Sequence, residues 1–415
     1  MRVLNVSSLY PPNVIGGAEL GLRTIAEAMA GAGHDVHVVT LQPPVASDRL
    51  AAQHNGAVTV HAIRLANVYW PFNDARHRRS PIQKAVWHSI DTANKIMAHR
   101  VEQVVRRVRP DVVMTHNLQG FSTAVMPAIK RTGAPAIHVL HDAALICPQT
   151  TLSRGGRNCG VRQARCVRCR LLTAPRYQHL KAIDGVISVS RVLLELHQAH
   201  GLFTKIPSAV IHNALKPAFE IREDTAPVDP RKLFTFGFLG RVERSKGIET
   251  LLAAATDLEA RGALFRLRIA GRAEPEYLET LRKRWPLARI EYLGFVDAPE
   301  FLRNVDTLVV PSEGMEGLPN GILEAFSQGV PVIGSATGGI PEAIEHGATG
   351  FVFRPGNIAQ LTDYMSRLQM NSKLRRSFGA TALTKARTHL APRRAAEYLA
   401  FLDRMVFLSR DEYAA

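Results

Sequence analysis

The sequence predicts an α/β protein: two tandem Rossmann-like domains facing a central cleft. Three observations carry that expectation. Short runs rich in Val and Ile alternate with longer helical patterns, and near-continuous apolar runs mark strands buried on both faces of a parallel sheet. The alternation breaks once, at the Pro-rich, charged and aperiodic stretch 215–232, and then restarts. The length of 415 residues suits about two or three domains.

In the first half, residues 2–8, 35–41, 111–117, 135–142, 185–190 and 208–214 read as strands. Between the first two, Leu22, Ile25, Ala26 and Met29 recur at helical spacing and Gly31 to Gly33 ends the helix, which makes a βαβ unit. After the break, strands are expected at 234–242, 265–271, 289–296, 306–312 and 330–336, a helix from Gly247, and only helical patterns beyond Gly356. The expected organisation is an N-terminal domain over 1–215, a linker over 216–232, a C-terminal domain over 233–392, and a helical tail over 393–415 able to return to the first domain. Ligands of such sheets bind beyond the carboxyl ends of the strands, so the cleft between the domains is the expected site.

Charge is unevenly placed. The net +16 divides into 25 Lys and Arg against 11 Asp and Glu in residues 1–215, and 27 against 25 in the remainder. A basic half implies an anionic partner: a phosphate-bearing substrate, lipid headgroups or nucleic acid. No apolar run approaches the ~18 residues of a membrane-spanning helix. The first residues, MRVLNVSSLYPPN, lack the apolar core and small-residue cleavage site of an export signal, so a reducing cytoplasm is the expected setting.

The richest stretch is 311–344, PSEGMEGLPNGILEAFSQGVPVIGSATGGIPEAI. Leu318, Pro319 and Asn320 stand at the entry of a helix expected from about Gly321 to Gln328, where free N–H groups and the helix dipole make an anion site. Glu324, about one turn in, is placed to accept from two ribose hydroxyls, and Glu316 from the hydroxyls of a second sugar. In GFLGRVERSKG (237–247), Arg241 and Lys246 flank a strand end and a helix start, as two fixed cations suited to a diphosphate. Gly16 and Gly17 mark a strand–loop–helix turn without a dinucleotide fingerprint. His141 and Asp142 close a buried strand, whereas His116 and His138 read as structural histidines.

These stretches together resemble the retaining, nucleotide-sugar-dependent glycosyltransferases of family four, with the GT-B fold. The resemblance rests on the Glu316–Glu324 pair, EGLPN, GGIPEAI, GRVERSKG, GGAE, DVVMTHN, the His-Asp strand end, SVS and HNAL, in order through nearly the whole chain. It implies that Glu324 holds the ribose of a UDP- or GDP-sugar donor and Glu316 the sugar hydroxyls. It implies that Arg241 and Lys246 bind the diphosphate, helped by Gly16, Gly17 and the backbone from Leu318 to Asn320. His141 then touches the transferring sugar and Asn213 lies near the hinge. It further implies a front-face mechanism with retention and no catalytic metal. Ala143 and Ala144 replace the aromatic pair that follows His-Asp in many relatives with a cysteine-bearing loop. Competing readings are a nucleotide-sugar epimerase or phosphorylase on the same fold, or a basic nucleic-acid-binding protein; the basic run is poor in aromatics, so nucleic acid is not the expected partner.

Residues 75–110 read as a basic loop followed by one amphipathic helix with Val86, Ile90, Ala93 and Met97 on one face. This region is expected either to rest on an anionic membrane surface, peripheral to the inner face of the cytoplasmic membrane, or to bury that face in the domain. The acceptor is expected to be a glycan or lipid-linked. The chain's four cysteines, Cys147, Cys159, Cys166 and Cys169, fall within one arginine-rich loop. Structural zinc is the first expectation for them, ahead of reduced thiols, an iron–sulfur cluster or disulfides.

Overall fold

A computed structural model describes residues 1–43, 52–72, 79–148, 150, 152–154, 157–159, 167–223 and 233–414. Two α/β units follow one another. The first is an eight-stranded sheet in the order β10-β9-β6-β5-β1-β2-β4-β3. Its strands are β1 (Arg2–Val6), β2 (Asp35–Gln42), β3 (Ala52–Asn55), β4 (Val58–Arg64), β5 (Val112–Thr115), β6 (Ala136–Leu140), β9 (Gly185–Ser188) and β10 (Ser208–Val210). A small ribbon, β7 (Ser153–Arg154) with β8 (Arg157–Asn158), lies in the cysteine loop. The second sheet is wholly parallel in the order β13-β12-β11-β14-β15-β16. It comprises β11 (Thr235–Leu239), β12 (Arg266–Ala270), β13 (Ile290–Gly294), β14 (Thr307–Val310), β15 (Val332–Ser335) and β16 (Gly350–Phe353).

The central strands are buried from end to end, as their apolar runs predict: every residue of β5, β6, β9 and β15 is inaccessible. The hairpin of β3 and β4 departs from the sequence reading, which assigned no strand there. Asn55 pairs with Val58, and Gly56-Ala57, with Gly56 at φ +64°, makes the turn. The ribbon of β7 and β8 and the four-residue strand β16 are likewise not read as strands from the sequence.

The predicted single helix of the basic run is two: α2 (Pro81–Thr92) and α3 (Lys95–Val108), after α1 (Gly17–Gly31). Asn94 makes the break. It is buried, caps α3 by accepting from Met97 N at 3.1 Å, and donates to Ala66 O at 2.8 Å. The expected common face is therefore divided: Met97 is in the core, whereas Val86 and Ala93 are exposed.

The last helix begins at Ala391 and runs to Ala414, and it lies against α1. Tyr398, Phe401, Leu402 and Met405 share a cluster with Leu22, Ile25 and Met29 of α1 and with Ile137, Val139 and Ile187 of the first sheet. Between the sheets, Phe219 of the connecting stretch is buried, and Arg222 N donates to Ser327 O at 3.0 Å. The start of the linker is thus packed onto the second domain.

Candidate active site in the interdomain cleft

The carboxyl ends of both sheets face one cleft of about 1540 Å³. Gly16, Gly17, His141 and Asn213 border it from the first domain, and Arg241, Lys246, Glu316 and the segment from Leu318 to Asn320 from the second. All the donor-side residues expected from the sequence therefore border one space.

Several of them already hold one another. Lys246 Nζ lies 2.6 Å from Glu316 Oε1, which also accepts from Ser312 Oγ at 2.8 Å. Glu324 sits in the helix Asn320–Ser327 with only 4 % of its surface exposed, and its Oε1 is paired with the Lys216 ammonium. Lys216 was not among the expected site residues: it directly follows the HNAL run, in what reads as linker. The helix itself starts at Asn320 with no side chain capping it, so its N-terminal dipole is open to the cleft. Arg241 stands apart, mostly exposed, with its guanidinium 3.1 Å from Glu243. Phe295, 80 % exposed, also borders the cleft and carries the Arg272 guanidinium over its ring at 5.5 Å.

The two domains touch through backbone and amides at the mouth of this helix. Asn213 Nδ2 donates to Leu318 O at 2.9 Å and to Asn320 Oδ1 at 2.8 Å, and Asn320 Nδ2 donates to Gly17 O at 3.2 Å. Gly317 packs on the strand end of the first domain, where a Cβ would stand 2.1 Å from His141 O; only glycine permits that approach. A second contact is made by Glu342, whose carboxylate accepts from Arg191 N at 2.8 Å and Val192 N at 2.9 Å. A side chain of the second domain thus caps the first-domain helix Arg191–Ala199, whose own Ser190 makes no cap bond. His212 Nε2 lies 3.3 Å from the same Glu342 carboxylate.

On the first-domain wall, burial pulls His141 down to about 4. Its Nε2 is 3.0 Å from Nδ1 of His116, the ring that reads from sequence as merely structural. Asp142 next to it accepts from Ala144 N at 2.8 Å; burial raises its carboxyl to about 6, with the Glu19 charge adding to the rise.

The cysteine loop is described in part. Cys147 is buried in the core cluster of the first domain, and Cys159 and Cys169 are half-buried. Cys166 lies outside the described residues, as do Arg76 and Arg78 of the basic run. Among the described residues, no three His, Cys, Asp or Glu side chains gather as a metal site.

Comparison with known proteins bears on this geometry. Residues 16–214 match the glycosyl transferase 4-like domain and residues 234–371 match glycosyl transferases group 1. A protein of the Klebsiella pneumoniae cps region is 28 % identical, over 82 % of this chain and 87 % of its own length. The D-inositol 3-phosphate glycosyltransferase of Pseudarthrobacter chlorophenolicus is 28 % identical, covering 94 % of this chain and 92 % of its own. Among solved structures, sucrose-phosphate synthase of Thermosynechococcus elongatus superposes with a TM-score of 0.73 at 19 % identity, over 100 % of this chain and 99 % of that one. HepE of Anabaena, in complex with UDP-glucose, superposes at 0.66 and 19 % identity, over 96 % and 99 %. With both domains and their order matched, the chain belongs to the glycosyl transferases group 1, the family-four glycosyltransferases of GT-B fold.

Proposed function

We propose that this glycosyltransferase moves a hexose from a UDP- or GDP-sugar to a glycan or lipid-linked acceptor, with retention at the anomeric carbon. The observation that carries the reading is the pairing of Lys246 with Glu316 and of Lys216 with Glu324, all bordering one cleft beside an uncapped helix start. Each lysine–carboxylate pair offers an acceptor for hydroxyls and a cation for phosphate oxygens within one hydrogen bond of each other. Solved relatives that hold UDP and UDP-glucose support a nucleotide-sugar donor.

In this reading Glu324 takes the ribose hydroxyls and Glu316 the sugar hydroxyls. Arg241 and Lys246, with the N-terminal end of the helix Asn320–Ser327, stabilise the diphosphate as the bond from the anomeric carbon to its oxygen breaks. The acceptor hydroxyl attacks from the face the diphosphate leaves, and its proton passes to the departing phosphate oxygen. Lys246 and Arg241 supply the charge neutralisation that a catalytic metal supplies elsewhere, so the reaction is proposed to need none. A structural zinc at Cys147, Cys159, Cys166 and Cys169 is supported by their spacing alone, and no step runs through it.

The acceptor side is proposed to meet an anionic membrane face. Helix α2 buries only Trp87 and Asp91, and leaves Ile82 76 % and Val86 44 % exposed beside Lys84. No helix among the described residues is long and apolar enough to cross a membrane. Flotation with vesicles tests this: equal binding with and without anionic lipid, or none, removes the membrane from the reading. The donor reading is tested by incubating a panel of UDP- and GDP-sugars with lipid-linked and oligosaccharide acceptors and reading the anomeric configuration of the product by NMR. An inverted product refutes the front-face mechanism, and epimerised donor without transfer favours the epimerase.

A further inference from the structure

Strand β1 is apolar at Val3, Leu4 and Val6, and Asn5 is its wholly buried polar exception. A buried amide in a central strand must have its hydrogen bonds satisfied, and the partners of Asn5 settle which way it faces. Its Nδ2 donates to His37 O at 3.2 Å. A backbone carbonyl can only accept, so the amide cannot be reversed. Oδ1 therefore faces His116 Nε2, 3.1 Å away, and that nitrogen carries the hydrogen.

The remaining assignments follow from neutrality. Burial holds His116 well below the usual imidazole range, with His141 and His138 adding to the effect, so its ring is neutral and its Nδ1 is a lone pair. That lone pair faces His141 Nε2 at 3.0 Å, the two rings being stacked 5.3 Å apart. His141 Nε2 must then donate. Being neutral too, His141 keeps a lone pair on Nδ1, and no hydrogen bond among the described residues uses it. His141 borders the cleft next to Gly317.

We infer that Asn5 and His116 are positioning residues that lock His141 as the Nε2–H tautomer, leaving its Nδ1 to accept a hydrogen bond from a hydroxyl of the donor sugar. The ligand in this statement rests on the proposed transfer reaction; the tautomer does not. The lock runs from the middle of the central strand to the cleft wall, and it fixes which partner the sugar hydroxyl must be. The hydroxyl donates to Nδ1 and its oxygen stays free to accept from another group.

Imidazole nitrogen NMR of the full chain labelled with ¹⁵N-histidine reads the tautomer directly, with the His141 signals assigned by their loss in His141→Asn. In the wild type near neutral pH, both His116 and His141 are expected with hydrogen on Nε2. Asn5→Asp places a carboxylate beside His116 Nε2 and favours the imidazolium, whose Nδ1–H then donates to His141 and drives it to the Nδ1–H form. Asn5→Val, which suits a buried strand, removes the acceptor and leaves a mixture of tautomers. In both variants kcat is expected to fall about ten- to a hundredfold, with a smaller change in the donor KM. Hydrogen on Nδ1 of His141 in the wild type overturns the inference, as does a changed tautomer with unchanged kcat. A wild type with the expected tautomer but no transfer from any nucleotide sugar counts against the proposed function and leaves the lock standing.

Discussion

Lys246 and Glu316, seventy residues apart in sequence, hold each other at 2.6 Å in the cleft, so the cation proposed for phosphate is already engaged by the carboxylate proposed for the sugar. Donor binding must share Lys246 between the two. Lys246→Ala is therefore expected to lower kcat/KM for the donor by about a hundred- to a thousandfold, the scale of removing one transition-state contact. Glu316→Gln should slow transfer while leaving affinity for the bare nucleoside diphosphate equal or higher, because it frees the lysine. Calorimetric titration of the diphosphate into both variants, beside initial rates, separates these effects; a parallel loss of affinity in both contradicts the sharing.

The second pair tests burial. Glu324 is almost inaccessible and Lys216 is its counter-ion. Lys216→Met strands a buried carboxylate, expected to cost roughly 3 kcal/mol of stability, whereas Lys216→Met with Glu324→Gln should recover most of it. Urea unfolding of the two singles and the double reports the coupling, and additive losses exclude it.

Glu342 ties the second domain to the first. Its carboxylate caps the N-terminus of Arg191–Ala199 across the domain boundary. Glu342→Ala removes that cap, whose like is worth ~1 kcal/mol. The donor KM is expected to rise several-fold and the scattering radius to grow slightly, with little change in far-UV circular dichroism.

Acid should weaken the fold. Burial holds His61, His141 and His197 down to about 4, His138 and His389 down to about 3, and His116 well below the usual range. In each case the unfolded chain binds the proton more readily, so the stability these histidines contribute is intact above ~6.5 and is lost as pH falls toward the folded values. Asp91 and Asp142, raised by burial to about 7 and about 6, act oppositely: they keep protons the unfolded chain releases, so they lower stability as pH rises from about 4. Six groups oppose two, and urea midpoints are expected to climb from pH 4 to 6.5. In Asp142→Asn the climb should be steeper.

The cysteine loop gives a metal prediction. Protein purified without added zinc is expected to carry close to one equivalent by elemental analysis, and to lose order at the loop on chelation. Four titratable thiols in metal-free protein would leave the loop without its clasp.

The two-domain fold was legible because buried parallel strands write themselves as apolar runs, and the Pro-rich stretch marks where one sheet ends. The hairpin of β3 and β4 escaped because β3 is AQHN, with no apolar pattern; Asn55-Gly56 was the signal that could have found it. Asn94 was the clue to the broken helix, since a cap residue inside a periodic run offers the backbone another partner. In the cleft, the Glu and Gly pattern was readable residue by residue. Pairing was not: Lys216 stands 108 residues from Glu324, and only the folded chain brings them together. His116 was set aside because a lone histidine carries no information until its neighbours are known.

The return of Ala391–Ala414 to α1 has a consequence for anyone recombining such enzymes. In sequence the second domain looks like the C-terminal half; in space it is an insertion within the first, which takes its final helix from beyond it. A chimaera joined once, near residue 215, would clothe one enzyme's sheet with another enzyme's helix and mismatch Tyr398, Phe401 and Met405 against foreign partners. The second domain should instead be exchanged as a cassette with two seams, one after Leu215 and one near His389, where Leu215 N already donates to His389 O at 2.7 Å.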